Sequence, residues 1–142
     1  MEHFPYYKQA HDKDCGITCL RMIAKYHGRN LFNKGKHIFV PPHGKRVSLL
    51  QLKTIAKQTG FQLGASYVSI HSLAGIELPV ILHWNTNHFI VLYKINRNIY
   101  HIADPAHGMM VLTLADFLRH WKTNKYSQAN CGVVVFVTED NL

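Results

Sequence analysis

The sequence predicts an α+β fold in which an N-terminal helical half packs on a C-terminal antiparallel β-sheet. Apolar residues recur at helical spacing in two stretches, one that stops at Gly28 and one that stops at Gly60. From Phe61 onward the period changes to the alternating or short apolar runs typical of strands. With 142 residues and 47% apolar content, the chain is expected to form one domain, residues 1–142, with a real core.

The first helix is expected to begin beside Cys15 and to end at Gly28, with Asp14 as its N-cap. Cys15 therefore lies in the first turn, where unpaired N–H groups and the helix dipole favour a thiolate. A cysteine in this position can act as a nucleophile. It can equally be a small buried hydrophobe, and the helix alone does not decide between the two.

The remaining elements follow from capping and turn residues. Ser48 is expected to cap the second helix, and residues 114–121 form a short helix near the end of the chain. Residues 29–47 are rich in glycine, proline and basic residues and are typical of a long loop. Three strand-like runs, LPVILHW, HFIVLYKI and NIYHIAD, are separated by the turn-prone NTN and NRN, and a final strand, GVVVFV, follows. The three runs are therefore predicted to be neighbouring antiparallel strands.

Two polar residues of these strands are predicted to meet. His88 opens HFIVLYKI, at a sheet edge near solvent, and Asp104 closes NIYHIAD. If the two strands pair as a meander, the start of one lies beside the end of the other, so Asp104 can hold one tautomer of the His88 ring. Taken singly, each residue has an ordinary explanation, since most histidines are surface or packing residues and an aspartate before proline usually forms a turn.

Charge and cysteine content limit the function classes. Sixteen Lys and Arg against eight Asp and Glu give a formal charge of +8, but the basic residues are dispersed and no RNA-binding signature occurs, so we expect no nucleic-acid partner. Three cysteines are too few for a disulfide framework, which favours a reducing, cytoplasmic environment. The longest apolar runs, Leu78–Leu82 and Val133–Val137, are too short to span a membrane. No signal peptide, metal or cofactor is expected.

Taken in order, Gln9, Cys15, His88 and Asp104 have the papain-like arrangement of site residues. The chain resembles the C39 peptidase family, the bacteriocin-processing domain at the N-terminus of certain peptide-exporting ABC transporters. The resemblance rests on QAHDKDCGITCL, VSLLQLKTIAKQTGF, PVILHWNTNHFIVL and IADPAHG. It covers nearly the whole chain, but NLFNKGKHIFVPPHGKR departs from a recognisable pattern and leaves substrate preference near that loop open.

The resemblance implies a papain-like fold and a role for each site residue. Cys15 is the expected nucleophile, His88 the general base and acid, Asp104 the residue that orients His88, and Gln9 the side-chain donor of the oxyanion hole. The implied substrate is a precursor peptide cut after a Gly-Gly pair that ends its leader. The implied partners are the transmembrane and ATP-binding portions of a transporter, on the cytoplasmic side of the bacterial cell membrane. A free-standing protease remains an alternative.

Three other functions stay open on sequence. A non-cleaving docking domain of the same fold would be expected to lack the nucleophile, and another papain-like acyl-transfer enzyme would share only the order of the site residues. A zinc site built from Cys15, Cys19 and histidines lacks the usual CxxC or HExxH spacing. Cys19 and Cys131 are therefore expected to be packing residues.

Overall fold

A six-stranded antiparallel sheet with helices on both faces forms the fold. The computed structural model describes residues 3–11, 13–30, 47–85, 87–121 and 130–139. In chain order, the elements are α1 (Cys15–Tyr26), α2 (Leu49–Gln58), β1 (Phe61–Ser69), α3 (Ile70–Leu73), β2 (Val80–Trp84), β3 (His88–Asn96), β4 (Ile99–Asp104), β5 (Gly108–Thr113), α4 (Leu114–Trp121) and β6 (Cys131–Glu139). Most of the predicted 29–47 loop lies outside the described residues.

Helix α1 begins and ends as predicted, but its expected cap is not made by a side chain. Asp14 occupies the N-cap position without a side-chain capping hydrogen bond. The helix ends before Gly28, whose φ of +79° is the left-handed conformation that glycine adopts readily. The apolar face of α1 is buried, including the fully buried Cys19. The prediction that Cys19 faces the interior is confirmed.

Helix α2 is held by a complete capping box. The Ser48 hydroxyl accepts from the Gln51 N–H, and the Gln51 side chain accepts from the Ser48 N–H. Its apolar spacing predicts an inward stripe of Leu49, Leu52, Ile55 and Ala56. The last three are buried, and Leu49 is partly buried against the same core. This helix therefore docks on the sheet by an ordinary amphipathic face.

The sheet has the strand order β1-β6-β2-β3-β4-β5, and every neighbouring pair is antiparallel. The predicted meander of three strands is confirmed as β2-β3-β4. The sequence patterns do not predict β5, which pairs with β4 along its whole length. Strand β5 is one of the two edge strands of the sheet, and none of its residues is fully buried, with Met109 44% and Val111 61% exposed.

Two hydrophobic clusters cover the two faces of the sheet. On one face, α1 and α2 pack against alternate strand residues that include Ile81, Val91, Ala103 and Val135. On the other face, α3 and α4 pack against the residues between them, such as Leu82, Ile90, Ile102 and Val134. This alternation is the two-residue period of a strand buried on both sides. In the part of the chain that the structure describes, no helix combines the length and apolarity that crossing a bilayer would require.

Candidate active site

Cys15 is the first residue of α1, and its side chain is buried against the start of β3. It is only 3% exposed. The His88 ring and the backbone N–H of Phe89 are close enough to the thiol to lower its pKa. The predicted position in the first turn is confirmed, and the packing of α1 on β3 brings the thiol to the histidine.

His88 is the first residue of β3, and its ring joins Cys15 to Asp104. The Nε2 atom lies 2.7 Å from Asp104 Oδ1, which leaves Nδ1 as the ring nitrogen for the thiol. The expected place at a sheet edge is wrong in one respect, because β3 is an interior strand between β2 and β4. His88 is instead near solvent because it stands at the end of that strand, where its side chain is 16% exposed.

Asp104 ends β4 and is almost completely buried, with 2% of its side chain exposed. Three donors compensate for this burial. Oδ1 accepts from His88 and, at 2.8 Å, from the Ala106 N–H, and Oδ2 lies 3.1 Å from His107 Nδ1. Asp104 therefore contacts the His88 ring as predicted. The same carboxylate also binds a second histidine.

The electrostatics of the group favour a thiolate beside an imidazolium. Burial, the largest influence, disfavours the Cys15 thiolate, but the hydrogen bonds with His88 and Phe89 and the charge on His88 outweigh it and lower the pKa of Cys15. Burial likewise opposes charge on His88, yet the Asp104 and Cys15 partners raise the pKa of His88 to about 9. Between these two pKa values the pair is charged.

The environment of the Asp104 carboxylate favours its ionised form. Burial raises the pKa of Asp104, but hydrogen bonds from His88, Ala106 and His107 lower it below its ordinary value. Cys19, one turn beyond Cys15, differs completely, because full burial raises the pKa of its thiol well above the usual range. Of the two cysteines in α1, only Cys15 has an environment that supports a thiolate.

Gln9 is fixed to the same region through its backbone. Its N–H donates to the Pro105 carbonyl at 2.9 Å, directly after Asp104. The Tyr6 hydroxyl donates to the Asp104 carbonyl at 2.7 Å, and the Arg21 guanidinium lies 3.9 Å from the centre of the Tyr7 ring. The Gln9 Oε1 atom is buried and has no hydrogen-bond partner among the described residues. An unpaired buried amide is costly, and such groups are often completed by a ligand.

Two residues that contact Asp104 are not among the predicted site residues. His107 lies in the quoted DPAHG stretch and binds the carboxylate, and Tyr6 lies in the aromatic lead-in and binds the Asp104 carbonyl. His107 could have been noticed from its place three residues after Asp104. Nothing in the sequence indicates the Tyr6 contact, which joins residues 98 positions apart.

Possible metal ligands also gather here. Over the described residues, one group of three side chains could hold a metal ion, namely His88, Asp104 and His107, with donor atoms within 4.8 Å of one another. Neither cysteine of the alternative zinc site belongs to it. None of the three cysteines of the chain, all of which lie in the described residues, forms a disulfide.

A thiol, an imidazole and a carboxylate joined in series are the groups that nucleophilic catalysis by cysteine requires. Comparison with known proteins agrees with this arrangement. The model of the Peptidase C39 family matches residues 3–133. The chain belongs to the Peptidase C39 family.

Curated relatives are much longer than this chain. It is 31% identical over 119 residues to the probable microcin-H47 secretion/processing ATP-binding protein MchF of Escherichia coli, covering 82% of the chain and 17% of that protein. It is 30% identical over 118 residues to the lacticin-481/lactococcin-DR transport/processing ATP-binding protein of Lactococcus lactis, covering 78% of the chain and again 17% of the relative. The chain thus spans about a sixth of the relatives it matches.

Solved structures share the fold at low sequence identity. The peptidase domain of Streptococcus ComA, a bifunctional ABC transporter involved in quorum sensing, superposes with a TM-score of 0.73 at 21% identity, over 97% of this chain and all of that one. A double glycine motif protease from an AMS/PCAT transporter, solved in complex with the leader peptide, gives 0.72 at 20% identity, over 95% and 91%. The mixed helical and antiparallel architecture is that of C39 peptidase domains.

Proposed function

We propose that the chain is a cysteine endopeptidase of papain-like fold that removes the leader from bacteriocin-like or other secreted peptide precursors by cutting after a Gly-Gly pair. The observation that carries this proposal is the buried series Cys15–His88–Asp104, in which a thiol of lowered pKa contacts an imidazole of raised pKa. A histidine and an aspartate with a purely structural role would not need a neighbouring thiol whose pKa is lowered.

The proposed reaction follows from the charge state of the pair. The Cys15 thiolate attacks the scissile carbonyl, and the His88 imidazolium then protonates the leaving amine. Water, deprotonated by the now neutral His88, hydrolyses the thioester and restores the pair. Asp104 accepts the Nε2–H at 2.7 Å throughout, so Nδ1 stays directed at the sulfur and the carbonyl.

Gln9 and the Cys15 backbone N–H are proposed to bind the oxyanion of the tetrahedral intermediate. The buried Gln9 Oε1 atom, which has no hydrogen-bond partner among the described residues, supports this. Rotating the side-chain amide by half a turn would place its NH₂ group, a donor, at that buried position.

The substrate proposal rests on similarity and on steric reasoning. The leader peptide in the solved AMS/PCAT complex supports a leader-bearing substrate for this chain. Glycine at both positions lets an extended backbone enter a narrow cleft, since it carries no Cβ to collide with the walls. An amphipathic leader helix upstream would add affinity through a hydrophobic groove.

We further propose that residues 1–142 form the N-terminal domain of a longer exporter. The curated relatives are secretion or transport ATP-binding proteins, and the match covers 17% of each. The transmembrane and ATP-binding portions would then be partners of this domain. Cleavage would take place on the cytoplasmic side of the bacterial membrane, where free thiols persist.

The test is mass spectrometry of synthetic precursor peptides that carry an amphipathic leader ending in Gly-Gly, incubated with the chain. We expect one cut after the second glycine. Cys15→Ala should abolish the cut while leader binding, measured by fluorescence anisotropy, stays within threefold. Cys131→Ala, a half-buried cysteine in β6, is the matched control and should cut normally.

The alternatives give different results. Leader binding without any cut by the unmodified chain would identify a docking domain and contradict the proposal. Cleavage that survives Cys15→Ala above about a thousandth of the unmodified rate would contradict the assignment of the nucleophile.

A further inference from the structure

Asp104 lies between two histidines, each bonded to a different carboxylate oxygen. His88 Nε2 is 2.7 Å from Oδ1 and His107 Nδ1 is 3.1 Å from Oδ2. The two imidazole rings are nearly perpendicular, with 6.4 Å between their centres. His107 is 72% exposed, whereas Asp104 is buried. The proposed mechanism uses Cys15 and His88 but not His107. The contact between His107 and the Asp104 carboxylate therefore has no role in that mechanism.

The spacing of the three donor atoms is close to that of a metal site. Imidazole nitrogens and carboxylate oxygens bind Zn²⁺ at about 2.0–2.2 Å, so two bound nitrogens lie at most about 4.2 Å apart. The donor atoms of His88, Asp104 and His107 are within 4.8 Å of one another. The exposed His107 side chain is free to close a gap of this size by rotation, and the Ala106 N–H would continue to hold Oδ1.

We propose that a divalent transition-metal ion binds reversibly to His88, Asp104 and His107 and switches the site off. The set of two histidines and one carboxylate is a common one for Zn²⁺, with water completing the coordination. The ion takes the Nε2 lone pair of His88, and the proton that this nitrogen donates to Asp104 leaves to solvent. His88 is then fixed to the metal and keeps its proton on Nδ1. A neutral metal-bound ring is a weaker acid toward the leaving amine than an imidazolium, and it has no free lone pair to deprotonate the water that hydrolyses the thioester.

His107 is the residue that makes this a metal site. Without it, His88 and Asp104 supply only two ligands, and they already satisfy each other by a hydrogen bond. The binding of the ion is independent of peptide cleavage, whereas its inhibitory effect rests on the function proposed above. Metal binding therefore gives the primary test.

The test uses Zn²⁺ and the Cys15→Ala chain, because a thiolate beside an imidazole binds zinc by itself. Isothermal titration with ZnCl₂ should show a site that loses at least tenfold in affinity in Cys15→Ala/His107→Ala. Cys15→Ala/His71→Ala removes an exposed histidine of α3 and should retain the site. Circular dichroism checks that each variant is folded, as expected for residues so exposed.

Nuclear magnetic resonance gives the ligand identities. With Zn²⁺, the imidazole nitrogen signals of His88 and His107 should shift together in the Cys15→Ala chain. Equal zinc binding with and without His107, or shifts confined to other histidines, would overturn the proposal. In the unmodified chain, zinc should inhibit cleavage, and EDTA should restore it. In His107→Ala, the same fractional inhibition, measured against the metal-free rate of that variant, should need at least tenfold more zinc. If the peptides are not cut at all, the titration still decides whether the site exists.

Discussion

Replacing Asp104 by asparagine is predicted to move the alkaline limit of activity to lower pH. The pKa of His88 is about 9 against an ordinary 6.5, and burial alone would lower it. The increase therefore comes from its partners, Asp104 and Cys15. An asparagine oxygen can still accept the Nε2–H, but the negative charge is lost. Removing one opposite charge at hydrogen-bond distance typically changes a pKa by 1–3 units, so we expect the pKa of His88 to fall by about 1–2 units.

The direction of this pH shift follows from the charges of Cys15 and His88. Cleavage needs the thiolate and the imidazolium together, so the rate falls on the alkaline side as His88 loses its proton. In the unmodified chain that limb lies near pH 9, and in Asp104→Asn it should lie near pH 7–8, about 1–2 units lower. The acid limb reports Cys15, whose pKa lies below the usual thiol range, and should move less.

The assay is kcat/KM for peptide cleavage between pH 5 and pH 10, with the His88 ring titrated in parallel by nuclear magnetic resonance. Asp116→Asn is the control, since Asp116 pairs with Arg119 at 3.2 Å on the exposed side of α4. Its profile should match that of the unmodified chain. An alkaline limb in Asp104→Asn that coincides with that of the unmodified chain would refute the reasoning, because Asp104 would then not hold the imidazolium.

Three further predictions concern the oxyanion site, the substrate and the sheet. Gln9→Ala should lower kcat about 10²–10³-fold with KM little changed, while iodoacetamide still alkylates Cys15 rapidly; normal kcat would make Gln9 a structural residue only. A precursor with valine in place of either glycine of the scissile pair should not be cut, and efficient cleavage would contradict a narrow cleft. Gly132→Ala should destabilise the chain by about 1–3 kcal/mol in urea unfolding, because its Cβ would overlap the buried Trp121 indole, whereas Gly64→Ala meets open space and should change stability little.

Local sequence patterns predicted the elements whose residues interact with near neighbours. Ser48 and Gly28 set helix ends through bonds and backbone conformations within a few residues, and the β2-β3-β4 meander needs only short turns. Strand β6 was expected, but its insertion between β1 and β2 was not. That placement depends on pairing between distant segments, as in Leu82 with Val134, and no local pattern encodes it.

The site residues also fall into those that local sequence patterns predict and those that only the fold reveals. Cys15, His88 and Asp104 were predictable because each stands at the start or end of an element whose bounds the sequence indicates. Their roles in catalysis stay predictions until the variants are measured. His107 was missed because an exposed histidine after a turn looks like any other surface histidine, and only the fold shows that it reaches Asp104.

The contact between His88 and Asp104 depends on a detail that strand boundaries do not give. At the far end of the hairpin, Lys94 pairs with His101, and continuing that register would set Asp104 opposite Val91, facing away from the side of His88. The register shifts by one residue between Leu92 and Lys94, so that Val91 instead pairs with Ala103.

This shift is a β-bulge, and it changes the face on which Asp104 stands. Continued by one residue, the shifted register sets Asp104 beside Ile90, two positions from His88 on the same side of the strand. The 2.7 Å bond between Asp104 and His88 agrees with that placement. The run HFIVLYKI carries no sign of the extra residue, because a bulge is a property of two paired strands. The sequence therefore indicates that two strand ends meet, whereas the bulge decides that their side chains can bond.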